Sequence, residues 1–225
     1  MKKSILIALF VMCANLLNAQ VSAGTIFLGG NLGFSSSGGK NTFKSSSTTV
    51  ETKKPNTTTF YISPGFGYVF SDNMAAGLNI GFTSTTTKED STNFSDKTSS
   101  SMFSVNPFFR YYLMLEDNFG FTGTLNVNFY SEKSKSETKL GNTTISSEGP
   151  QYSGLSVGIT PGIIFFPSSK IGIEGNIGFL GYSSTTKKTK SSNSERTDVT
   201  SEFGLNVGSF RPAFNVGFYY YLGGE

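Results

Sequence analysis

The sequence predicts an all-β fold: an eight-stranded antiparallel up-and-down transmembrane β-barrel with long extracellular and short periplasmic connections. Three observations carry this. Large apolar residues recur at every second position in runs such as GTIFLGGNLGF, MAAGLNIGF and FGFTGTLNVNFY. The residues between them are Gly, Ser, Thr and Asn, with almost no charge. A polar-Pro-x-aromatic or polar-Pro-x-Ile pattern also returns four times along the chain. Successive side chains of a strand point to opposite faces, so such runs have one greasy face and one small polar face. A soluble sheet buries the first face and shows charge on the second, whereas a barrel in lipid shows the first and encloses the second.

The chain begins with Lys2 and Lys3, then ILIALFVMCANLL, then NAQ. That apolar run is too short to span a bilayer and reads as a secretory signal peptide, residues 1–19, cleaved after Ala19 or alternatively after Ala23. Residues 20–225 then form one barrel domain. Met12 is too bulky for a lipoprotein signal ahead of Cys13, and removing the leader removes the one cysteine. Without Lys2 and Lys3 the net charge is +1, which signals no affinity for nucleic acid. No stretch of 18 apolar residues remains, so a membrane location requires a closed barrel, the other structure that pairs every backbone group.

The first strand is expected over 24–34. The second contains SPGFGYVF (63–70), in which Phe60, Ile62, Pro64, Phe66, Tyr68 and Phe70 share a row opposite Gly65 and Gly67. Ser71-Asp72-Asn73 is turn chemistry, and the third strand follows at 74–82. NPFFRYYL (106–113) marks the fourth strand, 119–130 the fifth, TPGIIFFP (160–167) the sixth, 171–182 the seventh and RPAFNVGF (211–218) the eighth. Pro64, Pro107, Pro161 and Pro212 thus stand on the even strands, spaced 43, 54 and 51 residues apart. Three connections are short (71–73, 116–118, 167–170), and four are long and rich in Ser, Thr and Lys (35–57, 83–101, 131–152, 183–201). Short periplasmic turns, long external segments and an even strand number place both termini in the periplasm.

Proline donates nothing to a ladder, so each of the four is expected at a lipid-facing bulge or bend of similar depth. Phe203, Leu205 and Val207 differ in parity from Phe210 through Leu222, which predicts a bulge near Gly208-Ser209. Strand charges test the orientation. The lipid rows Phe103-Val105-Pro107-Phe109-Tyr111, Ile171-Ile173-Ile177-Phe179 and Phe210-Pro212-Phe214-Val216-Phe218 turn Arg110, Glu174 and Arg211 inward. Arg110 and Glu174 lie at similar heights above their turns, so an interior ion pair is expected, with Arg211 higher and held by Tyr, Asn or Ser. Inward Tyr61, Phe108, Tyr112, Tyr130, Ile164, Leu180, Tyr219 and Tyr221 are expected to leave little room for water, which makes this cluster a polar plug in preference to a gated pore.

ISPGFGYVFSDNMAAGLNIGF, the repeated proline motif and the NAQ leader end resemble the small outer-membrane β-barrel proteins of Bacteroidetes-type bacteria, over residues 24–222. The resemblance implies a cell outer-membrane location and insertion by the barrel-insertion machinery. Asn215, Gly217, Tyr220 and Leu222 match the polar-x-Gly-x-x-apolar-x-apolar insertion signal that machinery reads, although Gly223-Gly224-Glu225 departs from the usual aromatic end. It also permits a role as an accessory barrel of a secretion apparatus.

Catalysis is not expected. The chain has no histidine, which removes the usual general base near neutral pH and with it a Ser-His-Asp site. Glu174 is the one carboxylate in the barrel strands, and no metal-ligand spacing, phosphate loop or cofactor motif occurs. The expected function is that of a monomeric, non-enzymatic barrel exposing polar segments for surface structure or adhesion; a narrow porin-like channel is the alternative. The partners expected are outer-membrane lipid and lipopolysaccharide, the latter favoured by the Lys-rich first segment, and a surface ligand of the four long segments. Their Thr-rich alternation can also extend the strands outward as a protruding polar sheet.

Overall fold

The computed structural model describes residues 21–45, 48–90, 94–141, 143–191, 194–206 and 214–223. Segment 1–19, expected as a signal peptide, therefore lies outside the described residues. Ten strand segments make the fold: β1 (Ile26–Lys44), β2 (Thr49–Ser71), β3 (Met74–Asp90), β4 (Phe94–Glu116), β5 (Phe119–Leu140), β6 (Thr143–Ser168), β7 (Ile171–Ile177), β8 (Phe179–Ser191), β9 (Ser194–Asn206) and β10 (Phe214–Leu222). Each of β1 to β5 pairs antiparallel with the next in sequence, β5 pairs β6, and β6 pairs both β7 and β8. β10 lies between β7 and β1 and closes the sheet. β7 and β8 are two halves of one strand, and β9 and β10 pair along its two halves in turn. The chain is an eight-stranded up-and-down barrel.

The alternation decides what faces out. Phe60, Ile62, Phe66, Tyr68 and Phe70 of β2 are all exposed, while Gly67 and Val69 between them are buried. The ten steps from Phe60 to Phe70 span about 33 Å along the strand. At a strand tilt near 40° that is about 25 Å along the barrel axis, the height of a lipid-facing band. Inside, large residues face glycines: Phe27 sits opposite Gly67, Phe108 opposite Gly77, Tyr219 opposite Gly29 and Tyr130 opposite Gly154. A Cβ on any of these glycines would collide with the facing ring.

The short turns fall at 72–73, 117–118 and 169–170, the first with Asn73 in the left-handed conformation (φ 64°). The four segments expected as long connections are instead strand almost throughout. Pairing runs out to Lys44↔Thr49, Asp90↔Ser95, Leu140↔Thr143 and Ser191↔Ser194. Threonine favours strands, and hydroxyls meet across the ladders, as in Thr57–Thr87 at 3.0 Å and Thr59–Thr85 at 3.2 Å. The barrel wall therefore continues outward as a polar crown. Among the described residues the crown is not closed: β1 pairs β10 only as far as Asn31↔Gly217, and β9 pairs only β8. Phe34 and Phe203, beside this seam, are 73% and 79% exposed, against 54% for Phe218 in the closed wall.

The bulge-or-bend expectation for the prolines narrows, because a bulge is not present at each of them. Next to Pro64 the β2–β3 ladder skips from Ile62↔Phe82 to Gly65↔Asn79, and next to Pro107 the β4–β5 ladder skips from Val105↔Phe129 to Phe108↔Asn126, in both cases with register unchanged. The missing N–H interrupts the ladder without adding a residue. At Pro161 the register does shift, because β7 and β8 insert one residue opposite β6 between Gly162↔Asn176 and Ile159↔Leu180. That bulge also overturns the inward placement of Leu180. Gly178 adopts φ +72°, the parity flips, and Leu180 and Tyr182 face outward at 46% and 43% exposure. Phe203 and Leu205 of β9 and Phe218 and Tyr220 of β10 face outward on opposite parities. The bulge expected near Gly208-Ser209 lies outside the described residues.

Candidate functional site: a sealed floor beneath a polar cup

Among the described residues, buried aromatic side chains fill the periplasmic half of the lumen. Phe27, Phe108, Tyr112, Phe166, Tyr219 and Tyr221 are each at most 5% exposed. They pack ring on ring: Phe27 stacks on Tyr221 at 5.2 Å and meets Tyr219 edge-on at 5.8 Å, and Phe166 meets Tyr221 edge-on at 5.1 Å. The Tyr112 and Tyr221 hydroxyls share a hydrogen bond of 3.2 Å. The segment before β1 adds to the seal. Val21 is fully buried in the same cluster, its carbonyl accepts from the Asn73 amide at 3.2 Å, and the Ala23 amide donates to Asp72 Oδ1 at 3.0 Å.

Arg110 and Glu174 form the upper surface of this floor. β4 and β7 are not neighbours in the sheet, so a contact between them braces the lumen from wall to wall. Arg110 Nη1 lies 2.6 Å from Glu174 Oε2, with the side chains 4% and 0% exposed. Arg110 Nε donates to Thr124 Oγ1 at 3.2 Å, and Thr122 Oγ1 donates to Glu174 Oε1 at 3.3 Å. The guanidinium also lies over the rings of Phe108 at 5.1 Å and Tyr219 at 5.2 Å. A charged pair this deep persists where each partner is paired and hydrogen-bonded.

Above Arg110 the inward residues become small and polar, and the lumen opens. This corrects the expectation of little room for water. A cavity of about 350 Å³ is lined by Asn31, Asn79, Asn106, Asn126, Asn128 and Asn176, with Ser63, Ser104, Ser156, Thr124 and Thr160 between them and Arg110 and Tyr219 beneath. It has room for on the order of ten water molecules. Among the described residues, the amide oxygens of Asn31, Asn79, Asn106 and Asn176 are buried and find no hydrogen-bond donor. Three of them lie over glycines of the next strand: Asn31 over Gly217, Asn79 over Gly65 and Asn176 over Gly162.

The sequence reading missed this asparagine ring, although its signal was present. Inward asparagines face glycines in the register pairs Asn31↔Gly217, Gly65↔Asn79 and Gly162↔Asn176. Of the residues singled out beforehand, Arg110 and Glu174 come together, while Arg211 and Pro212 lie outside the described residues. Pro64 and Pro161 are exposed on the outer face and Pro107 is half-buried there. In β10, Gly217 pairs with both Asn31 and Glu174, and Tyr220 and Leu222 face outward beside Leu28 and Ile26. The side chain of Asn215 lies outside the described residues.

The sequence matches no protein-family model and no curated protein. Solved structures do align with it. The outer membrane protein OprG from Pseudomonas aeruginosa covers 92% of this chain and 100% of its own, at 14% identity and a TM-score of 0.48. Neisserial surface protein A covers 88% and 97%, at 12% identity and a TM-score of 0.39. Ail, the attachment invasion locus protein of Yersinia pestis, covers 89% and 99%, at 15% identity and a TM-score of 0.33. These likenesses are remote, and the closed sheet stands on its own strand pairing.

Proposed function

We propose that this chain is an integral outer-membrane barrel of the Bacteroidetes-type group, without catalytic activity. In this reading the barrel is a plugged anchor that raises a Ser/Thr/Lys-rich sheet above the cell surface for surface structure or adhesion. The sealed floor is the observation that carries it. A channel needs a continuous aqueous path, and here six aromatic side chains, each at most 5% exposed, fill the periplasmic half beneath a buried ion pair. The apolar outer band, about 25 Å tall, supports the membrane location. The extension of every outer hairpin as paired strand supports presentation of a rigid surface in place of mobile loops. Insertion by the barrel-insertion machinery, reading the C-terminal strand, belongs to the same proposal.

Two measurements on one preparation test this. The protein should fractionate with the outer membrane and change gel mobility on boiling, and a Thr144→Cys variant should react with an impermeant maleimide on intact cells. In planar bilayers the same protein should give no unitary conductance. Stable ion-conducting steps would refute the plug and favour the channel reading, whereas soluble protein with no heat-dependent mobility would refute the membrane location.

A further inference from the structure

The outer face of the crown is ordered by height. The topmost lipid-facing aromatics on six strands are Phe34, Phe60, Phe82, Phe103, Phe129 and Tyr182. Six residues further out on the same face stand Lys40, Lys88, Lys97, Lys135 and Lys188. On β2 the lysine is Lys53, seven residues out, because two β2 residues face Gly38 where the register shifts. The six lysines thus form a belt at one height above the membrane band.

This arrangement has a cost that a ligand would relieve. Lys40 and Lys53 are directly opposed across β1 and β2, and Lys88 and Lys97 across β3 and β4. Like charges directly opposite each other destabilise a sheet. Glu51 meets Lys40 at 2.9 Å, and Glu137 meets Lys135 at 3.0 Å and Lys97 at 4.0 Å. Lys53 and Lys88 take part in no ion pair among the described side chains. Beside Lys88 and Lys97 the outer face holds a groove of about 420 Å³ lined also by Asn56, Thr58 and Thr86. Two ammonium groups, an amide and two hydroxyls in one groove suit a phosphorylated sugar.

We propose that the belt binds the anionic sugar headgroups of the glycolipid surrounding the barrel, with the groove at Lys88 and Lys97 as its principal phosphate seat. Height selects this ligand over a phospholipid. Six residues beyond the aromatics are about 20 Å along the strand, or about 15 Å along the axis at a tilt near 40°. The interfacial layer of a bilayer extends only about 5–8 Å beyond the hydrocarbon, so phospholipid phosphates lie well below the belt. A lipopolysaccharide with phosphates on its core sugars reaches it. The proposal rests on the membrane reading above, since only a lipid seated on the apolar band presents its headgroup here.

The test compares wild type with a K53Q/K88Q/K97Q variant, both in detergent and both checked for heat-dependent gel mobility. The probes are lipopolysaccharide with a phosphorylated core, the same lipid cut back to lipid A, phosphatidylglycerol vesicles and soluble heparin. Each lysine near an anionic surface is worth a factor of about five, so the variant should bind core-bearing lipopolysaccharide about 100-fold more weakly at low salt. The gap should narrow as salt rises. A K187Q variant, altered on the inner face beside Tyr152, should bind like wild type. Unchanged affinity in the triple variant would overturn the proposal, as would equal loss in the inner-face variant, or binding of lipid A, phosphatidylglycerol or heparin as tight as that of the full glycolipid. Should the triple variant not fold, K88Q alone is expected to lose about fivefold. If wild type itself lacks heat-dependent mobility, the membrane reading fails first and is recognised as such.

Discussion

Removing one side of the Arg110–Glu174 brace puts the sealed floor to its most direct test. At 2.6 Å and an effective dielectric constant near 20, the gross attraction is about 6 kcal/mol. Desolvating two ions costs several kcal/mol each, so the pair contributes little net stability while making each partner depend on the other. In Glu174→Ala the arginine keeps Thr124 and the faces of Phe108 and Tyr219, which points to a loss of about 3 kcal/mol, the lower end for a broken buried pair. In Arg110→Ala the buried carboxylate loses its cation and keeps only neutral side chains, Thr122 and Asn176, and the expected loss is about 5 kcal/mol, the upper end. An Arg110→Met/Glu174→Leu double variant should fall within about 2 kcal/mol of wild type, because no unpaired charge remains. Urea unfolding in lipid vesicles, read by the heat-dependent gel band, measures all four proteins. Single losses below about 1 kcal/mol, or a double loss equal to their sum, would refute the brace, since independent sites add and coupled ones do not.

Three further outcomes follow from the same geometry. Gly67→Ala drives a Cβ into the Phe27 ring and should cost about 1–3 kcal/mol, whereas Gly123→Ala, with nothing within 4 Å of its Cβ position, should leave the urea midpoint unchanged. Gly178→Ala places a side chain at φ +72° and should cost about 1–2 kcal/mol, while Gly181→Ala one turn of the ladder away should not show that backbone penalty. Glu137, hydrogen-bonded to Lys135 and close to Lys97, is held below the usual carboxylate range. A lowered folded-state value means its contribution is present at neutral pH and lost as pH falls through that value. A carboxyl NMR titration should therefore show Glu137 ionising below a free glutamate, and Lys135→Gln should raise its midpoint.

Much of this fold was legible because a barrel wall obeys one local rule. Period-two alternation marked the lipid rows on β2, β3, β4 and β5, and in those strands parity alone turned Arg110 inward. Where parity broke, the local rule failed. Leu180 was misplaced because a single glycine, Gly178, changes which face the rest of β8 presents, and one residue of bulge is invisible in a hydrophobic pattern that continues on both sides. The prolines gave the strand count yet not the bulges, since a lost donor and an inserted residue interrupt the same ladder with different consequences for register. The cup was missed for another reason: its lining is Asn, Ser and Thr, residues that read as generic inward filler until the register shows six asparagines around one cavity.

The strands do not end where the membrane ends, and that continuity links the three parts of the molecule. Along the outward row of β3 the order is Phe82, Ser84, Thr86, Lys88, and along β8 it is Tyr182, Ser184, Thr186, Lys188. One ladder therefore records depth as a change of residue class, from aromatic at the interface, through hydroxyls, to cations. The inward row of β4 carries a parallel record, from Tyr112 and Arg110 in the floor, through Asn106 and Ser104 in the cup, to Thr98 and Asp96 in the crown. Because both rows belong to the same rigid ladders, the seal at the bottom fixes the orientation of the crown at the top. A porous barrel would need small polar residues along the whole inward row. Along β4 they begin only above Arg110, where the cup opens toward the crown.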